Sequence, residues 1–194
     1  MATERILLAT DSLAIGRFRC PPDDVRWRRE NWIGPRHHVV FPARSVLIEQ
    51  DGHEPILADA NHVVLYDPGQ TYHRELVSPD GDLATFLVVS EPLVRSLLGA
   101  SDGRPPQFGR PELALAPEPL LRLQLLVSGI VAGTVDVLEA EETALNVLEG
   151  IVHGADGAPA APARRMTRAR TRNEHGRLVF DTRRLLAERF AESL

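Results

Sequence analysis

The 194 residues, 43% hydrophobic and 25% charged with a net charge of −5, have the make-up of a soluble globular protein with room for a sizeable core and an appendage. Its one cysteine, Cys20, excludes an intrachain disulfide framework and a thiolate-built zinc site, and is expected as a small buried hydrophobe. No run approaches the roughly 20 apolar residues that cross a bilayer, and the opening MATERILLATDS lacks a basic start and a cleavage site, so the expectation is a cytoplasmic protein that makes no membrane contact.

Residues 5–89 hold short runs that alternate or are fully apolar, broken by turn chemistry every 8–12 residues. ILLAT, GRFRC, HHVVF, SVLIEQ, PILAD, HVVLY, TYHREL and ATFLVV are the predicted strands. CPPDD, ENWIGP, FPAR, QDG, YDPGQ and SPDGD separate them. Strands at this spacing build an antiparallel sandwich or jelly roll, not a parallel sheet with crossover helices. In HVVLY, His62, Val64 and Tyr66 share one face and Val63 and Leu65 the other; both are apolar enough to be interior, which leaves the lumen face open.

SEPLVRSLLG then reads as a short helix, with Ser90 at its start and Gly99 past its end. Two longer apolar helices are expected over 117–131 and 135–153, joined by the glycine and threonine of AGT. Residues 154–163, GADGAPAAPA, form a Gly/Ala/Pro linker. RRMTRARTR follows, with Arg164, Arg165, Arg168, Arg170 and Arg172 in nine residues and no acid. It reads first as a solvated linker and second as an arm that contacts nucleic-acid phosphates without reading sequence.

All 22 basic residues are arginine, and nine of them against four acids fall in residues 161–194, leaving an acidic body and a basic tail. The chain closes on an amphipathic helix whose stripe is Val179, Leu186, Phe190 and Leu194. A lone helix of this length is marginal in water, so it is expected to be poorly packed.

The order of these parts resembles the AraC-type (AraC/XylS) transcription regulators along the whole chain, most sharply in WIGPRHHVVFPARSVLIEQDG (32–52), ADANHVVLYDPGQTYHREL (58–76) and RMTRARTRNEHGRLVFDTRRLLAERF (165–190). The resemblance implies a cupin-like effector-sensing barrel over 1–112 and a helical, dimerising extension over 113–153. A linker over 154–173 and the first helix of a helix-turn-helix domain over 174–194 complete it. The helices that would enter the major groove fall beyond Leu194, so the expectation is at most weak, non-specific DNA binding.

Two partners are then expected. One is a small-molecule effector in a pocket drawn from Trp32, His38, Phe41, Tyr66, Tyr72 and His73, since aromatic walls with a few polar tips suit such a site. The other is a second copy of the chain, paired through Leu121, Leu125, Val137, Leu145 and Leu148.

Enzymes are the competing class. In metal-binding cupins a Pro-Gly turn followed by a histidine supplies a ligand, which singles out His73 after Pro68 and Gly69. His37 and His38 are adjacent and point to opposite strand faces, so the spaced histidine pair of such sites is absent. A site from His37 or His38 with His62 and His73, or from His53, His62 and His73, is the alternative; the favoured reading has no metal, no other cofactor and no catalytic residue. No GxSxG motif or glycine-rich phosphate loop occurs. A third alternative is an interaction protein that pairs with intact relatives.

Overall fold

Apolar strands bounded by Pro, Gly and Asp turns fold here into two antiparallel sheets. The structure is a computed structural model that describes residues 1–101, 103–157 and 180–186. In chain order the strands are β1 (Thr3–Ala9), β2 (Leu13–Cys20), β3 (Asn31–Trp32), β4 (His37–Pro42), β5 (Val46–Gln50), β6 (Ile56–Ala58), β7 (His62–Tyr66), β8 (Thr71–Leu76), β9 (Asp82–Val89) and β10 (Glu112–Ala114). The helices are α1 (Glu91–Leu97), α2 (Pro117–Ala132) and α3 (Val137–Gly157).

The larger sheet has the order β1-β2-β9-β4-β7-β10 and the smaller β3-β8-β5-β6, a jelly-roll arrangement with every pairing antiparallel. The predicted strands are all present. β3 and β10 were not expected, because two or three residues carry no readable period. Asn31 holds β3 in place by donating its carboxamide to the carbonyls of Arg26 and Arg29, each at 3.0 Å. β10 pairs with β7 and inserts Leu113 into the core, so the sheet runs past the expected barrel boundary at residue 112.

Strand alternation divides the interior. Val39, Phe41, Val63, Leu65, Leu87 and Val89 point from the larger sheet to the helices, where Leu123, Leu126, Val127, Ala140, Ala144, Val147, Leu148 and Ile151 meet them. Val64 and Tyr66 point the other way, toward Val46, Ile48, Ile56, Ala58 and Tyr72 of the smaller sheet. Both faces of β7 are therefore interior, and its lumen face is that of Val64 and Tyr66. Leu47, Leu57 and Val77 form a third cluster outside the smaller sheet.

The helices keep close to their expected bounds, and each end has a cause. Ser90 stands at the N-cap position of α1 in extended conformation, without a side-chain cap bond, and Pro92 occupies the first turn. Gly133, at φ +69°, ends α2 and donates its N–H to Ile130 O. Asp136 accepts from the N–H of Glu139 at 2.9 Å and opens α3. α3 continues to Gly157, into the expected linker.

The pairing expectation is corrected in part. Of the pairing residues, Leu121, Leu125 and Val137 are exposed, but Leu148 is buried in the core and Leu145 packs partly against it. Those two are occupied by the chain's own barrel, which claims the small-residue face of α3 at Ala140 and Ala144. Of the closing helix, residues 180–186 are described; they are helical, and Phe180 packs on Leu47, Leu57 and Val77. Leu186 of the expected stripe is exposed, while Val179, Phe190 and Leu194 lie outside the described residues. The apolar depression on the smaller sheet selects Phe180, which the helical stripe left out.

Candidate functional site

Between the sheets lies a cavity of about 540 Å³. The larger sheet supplies Phe18 from β2, His38, Val40 and Pro42 from β4, Val64 and Tyr66 from β7, and Asp82, Ala84 and Phe86 from β9. The smaller sheet supplies Val46 and Ile48 from β5 and Tyr72 and Arg74 from β8. Glu4, Arg26, Arg29, Glu30 and Trp32 stand at the rim, Trp32 being 63% exposed. Gly16 lies opposite Phe86 in the β2–β9 register, and a Cβ there would collide with the Phe86 ring. That glycine lets the ring lie flat along the wall.

The polar end of the cavity is built on Arg74. Its Nη1 donates to Asp82 Oδ2 at 3.0 Å and its Nη2 to Tyr72 Oη at 2.7 Å. The guanidinium lies 4.7 Å from the Phe18 ring centre, 5.3 Å from Tyr72 and 5.7 Å from Trp27, a cation enclosed by aromatic faces. Arg74 Nε and Asp82 Oδ1 are buried and have no hydrogen-bond partner among the described residues.

Burial pushes the Asp82 carboxyl up to about 6, against the opposing pull of Arg74 and Arg44. Burial also opposes the charge of Arg74, but Tyr72 and Asp82 outweigh it and the guanidinium is held above its ordinary value. Burial raises both neighbouring phenols, Tyr66 well above the usual tyrosine range. Tyr66 and Tyr72 stack obliquely, their ring centres 5.1 Å apart.

His38 Nδ1 lies 3.0 Å from Arg36 O; a carbonyl only accepts, so Nδ1 carries the proton and Nε2 is the acceptor in the neutral ring. Burial lowers the affinity of His38 for a second proton. The charged lining is balanced: Arg26, Arg29 and Arg74 face Glu4, Glu30 and Asp82. Such a site offers aromatic and aliphatic walls, one neutral imidazole and one internally neutralised charge pair.

Of the six expected pocket residues, Trp32, His38, Tyr66 and Tyr72 line this cavity. Phe41 does not; it points from β4 into the helix-facing core. His73 also does not, because Tyr72 and Arg74 take the inward positions of β8 and His73 is exposed between them. Phe18, Phe86, Arg74 and Asp82 were missed. Tyr72 and Arg74 stand two apart in TYHREL, so placing the tyrosine inside should have placed the arginine beside it.

The histidines of the alternative metal site are dispersed. His37 is buried on the helix side, its Nε2 2.9 Å from Pro106 O, and His62 sits at the end of β7 with Nδ1 2.7 Å from Asp59 Oδ1. His53 and His73 stand together outside the barrel. Among the described residues no group of three His, Cys, Asp or Glu side chains could hold a metal ion. Cys20 is fully buried, and burial raises its thiol. The arginines of 164–172 lie outside the described residues. Among the described residues no helix is long and apolar enough to cross a membrane.

No family model matches the sequence, and no curated protein matches it. Among solved structures, the chain is similar in fold to an apo point variant of ToxT from Vibrio cholerae, with a TM-score of 0.54 and 12% identity. That likeness covers 76% of this chain and 57% of the ToxT chain. An RmlC-like cupin family protein with a double-stranded β-helix fold, from Methanocaldococcus jannaschii, aligns at a TM-score of 0.39 and 10% identity. It covers 47% of this chain and 83% of its own.

Proposed function

We propose that this chain is the effector-sensing and dimerising portion of an AraC-type transcription regulator. The observation that carries the reading is the cavity, with aromatic walls around the buried Arg74–Asp82 pair. A buried ion pair is a weak stabiliser compared with apolar packing, and an unfilled cavity forfeits packing contacts. Holding both in one place suits a binding site for a small molecule. The fold likeness to ToxT and the three resembling sequence segments support the same assignment.

Leu121, Leu125, Val137 and Leu138 are exposed on the helical hairpin and support pairing of two copies there. Arg164, Arg165, Arg168, Arg170 and Arg172 support salt-sensitive phosphate contacts that carry no sequence information. The reading is a binding protein, not an enzyme, and it assigns no cofactor; the dispersal of His37, His53, His62 and His73 supports it over a metal-dependent cupin enzyme.

The test is a small-molecule library titrated against the fluorescence of Trp27 and Trp32, beside the cavity-filling variant Val64→Trp corrected for its added indole. A saturable response in the parent chain that is lost in the variant is expected. Stoichiometric Fe, Mn or Zn in the purified protein together with turnover, or equal binding by the filled variant, would overturn the assignment.

A further inference from the structure

The smaller sheet carries two different surfaces on the same strands. On β5, Val46 and Ile48 face the cavity and Leu47 between them faces out; on β8, Arg74 faces in and Glu75 is exposed. On β6, Ile56 and Ala58 face in and Leu57 faces out. One layer of backbone separates the pocket from the outer surface, and period-two geometry ties each outward residue to inward neighbours on either side.

That outer surface is occupied by residues 180–186. Phe180 fills the depression formed by Leu47, Leu57 and Val77. Arg183 Nη2 donates to Leu57 O at 2.9 Å and to Asp59 Oδ2 at 3.2 Å, and it lies 3.1 Å from both ring nitrogens of His62. β6 is an edge strand, which leaves its backbone open to an outside donor of this kind. Arg184 Nη1 stands 3.6 Å from Glu75 Oε2. Two arginines of the segment thus meet two carboxylates of the barrel, around one aromatic anchor.

We infer that the outer face of the smaller sheet is a seat for residues 180–186, and that the contents of the cavity set how firmly this segment is held. A molecule that displaces Ile48 or Arg74 moves the backbone that also carries Leu47 and Glu75, and so alters the contacts of Phe180 and Arg184. The seat stands on its own contacts; the coupling rests on the sensing reading proposed above.

Amide hydrogen exchange on the full 194-residue chain tests both halves. For the seat, amides of 180–186 should exchange about tenfold more slowly in the parent than in Phe180→Asp or Arg183→Glu, with β7 and β9 protected equally in all three. Equal exchange of 180–186 in parent and variants would overturn the seat.

For the coupling, Ala84→Leu fills the cavity from β9 of the opposite sheet, and Val64→Trp fills it with more bulk from β7, the strand that also carries His62 beside Arg183. Either should change exchange of 180–186 severalfold while β9 stays protected. If filling the cavity abolishes small-molecule binding yet leaves 180–186 unchanged, the coupling is wrong and the sensing reading stands. If no small molecule binds while exchange of 180–186 follows the filling variants, the sensing reading fails and the seat and its link to the cavity remain.

Discussion

In the larger sheet, the central strands β4, β7 and β9 are buried on both faces: Val39, Leu65 and Leu87 lie beneath the helices, and Val40, Val64 and Phe86 line the cavity. In the smaller sheet the inward positions Tyr72 and Arg74 are as well covered, but outward His73 and Glu75 are exposed and Phe180 covers only part of the rest. The two walls of one cavity therefore differ in what stands behind them. A sheet clamped between two packed layers has few alternative arrangements, since close-packed interiors resist small displacements. The wall with an open back is the one able to move when the cavity is filled.

The helix side gives the largest expected effect, because its face is shared with the core. Leu148 is 2% exposed and belongs to the cluster under the larger sheet, so Leu148→Arg buries an unpaired charge; the expected result is loss of cooperative unfolding, a cost above about 4 kcal/mol. Leu125 is 65% exposed on the opposite side of the hairpin. Leu125→Arg should leave stability within about 0.5 kcal/mol and reduce the mass seen in light scattering toward the monomer. A folded Leu148→Arg protein would mean that the helices are not clamped to the sheet as described. Unchanged mass in Leu125→Arg would place the pairing surface elsewhere.

Arg74 is the corresponding test on the cavity side. Arg74→Met removes the partner of a buried carboxylate, which typically costs about 3–5 kcal/mol, whereas replacing both members by apolar residues is often neutral. Arg74→Met should therefore lower the urea midpoint at pH 7, and the double variant Arg74→Met with Asp82→Leu should recover most of it. The double variant should also lose small-molecule binding despite its restored stability. Recovered stability with binding intact would show that the pair is scaffolding and that recognition lies elsewhere in the cavity.

Legibility in the sequence followed periodicity. Eight strands and three helices could be read because their apolar spacing is long enough to count, whereas β3 and β10 are too short to show a period. The cavity was half legible. Tyr66 and Tyr72 could be nominated as aromatics, but HVVLY is apolar on both faces, and only the helices behind Val63 and Leu65 decide which face is the lumen. Phe41 stands on a strand with the same ambiguity, and the alternation of TYHREL turns His73 outward only once Tyr72 is known to face in. Asp82 followed no local rule: its role comes from standing on β9 across the cavity from Arg74, and pairings between sheets leave no trace in spacing.

The smallest expected effect is the pH dependence contributed by Asp82, and it sharpens the contrast between a cavity wall and a packed core. Burial places its folded pKa at about 6, above the ordinary carboxylate value of 3.8. A carboxyl raised on folding binds protons more readily in the folded chain than in the unfolded one, so its contribution to stability is fully present below about 3.8 and is lost as pH rises through about 6. Asp82→Asn removes this titration and leaves the other groups in place. The stability of the parent relative to Asp82→Asn should therefore fall between pH 4 and pH 7 by on the order of 2 kcal/mol, most steeply at about pH 5, between the unfolded and folded values, and level off above about pH 6. Because Arg74 lies against Trp27, the fluorescence of that indole in the folded protein should report the titration of Asp82 at about pH 6 in the parent and not in the variant. A flat difference across this range would mean that Asp82 stays ionised beside Arg74. The charge pair would then be permanent, and the cavity would present the same polar end at every pH in the range.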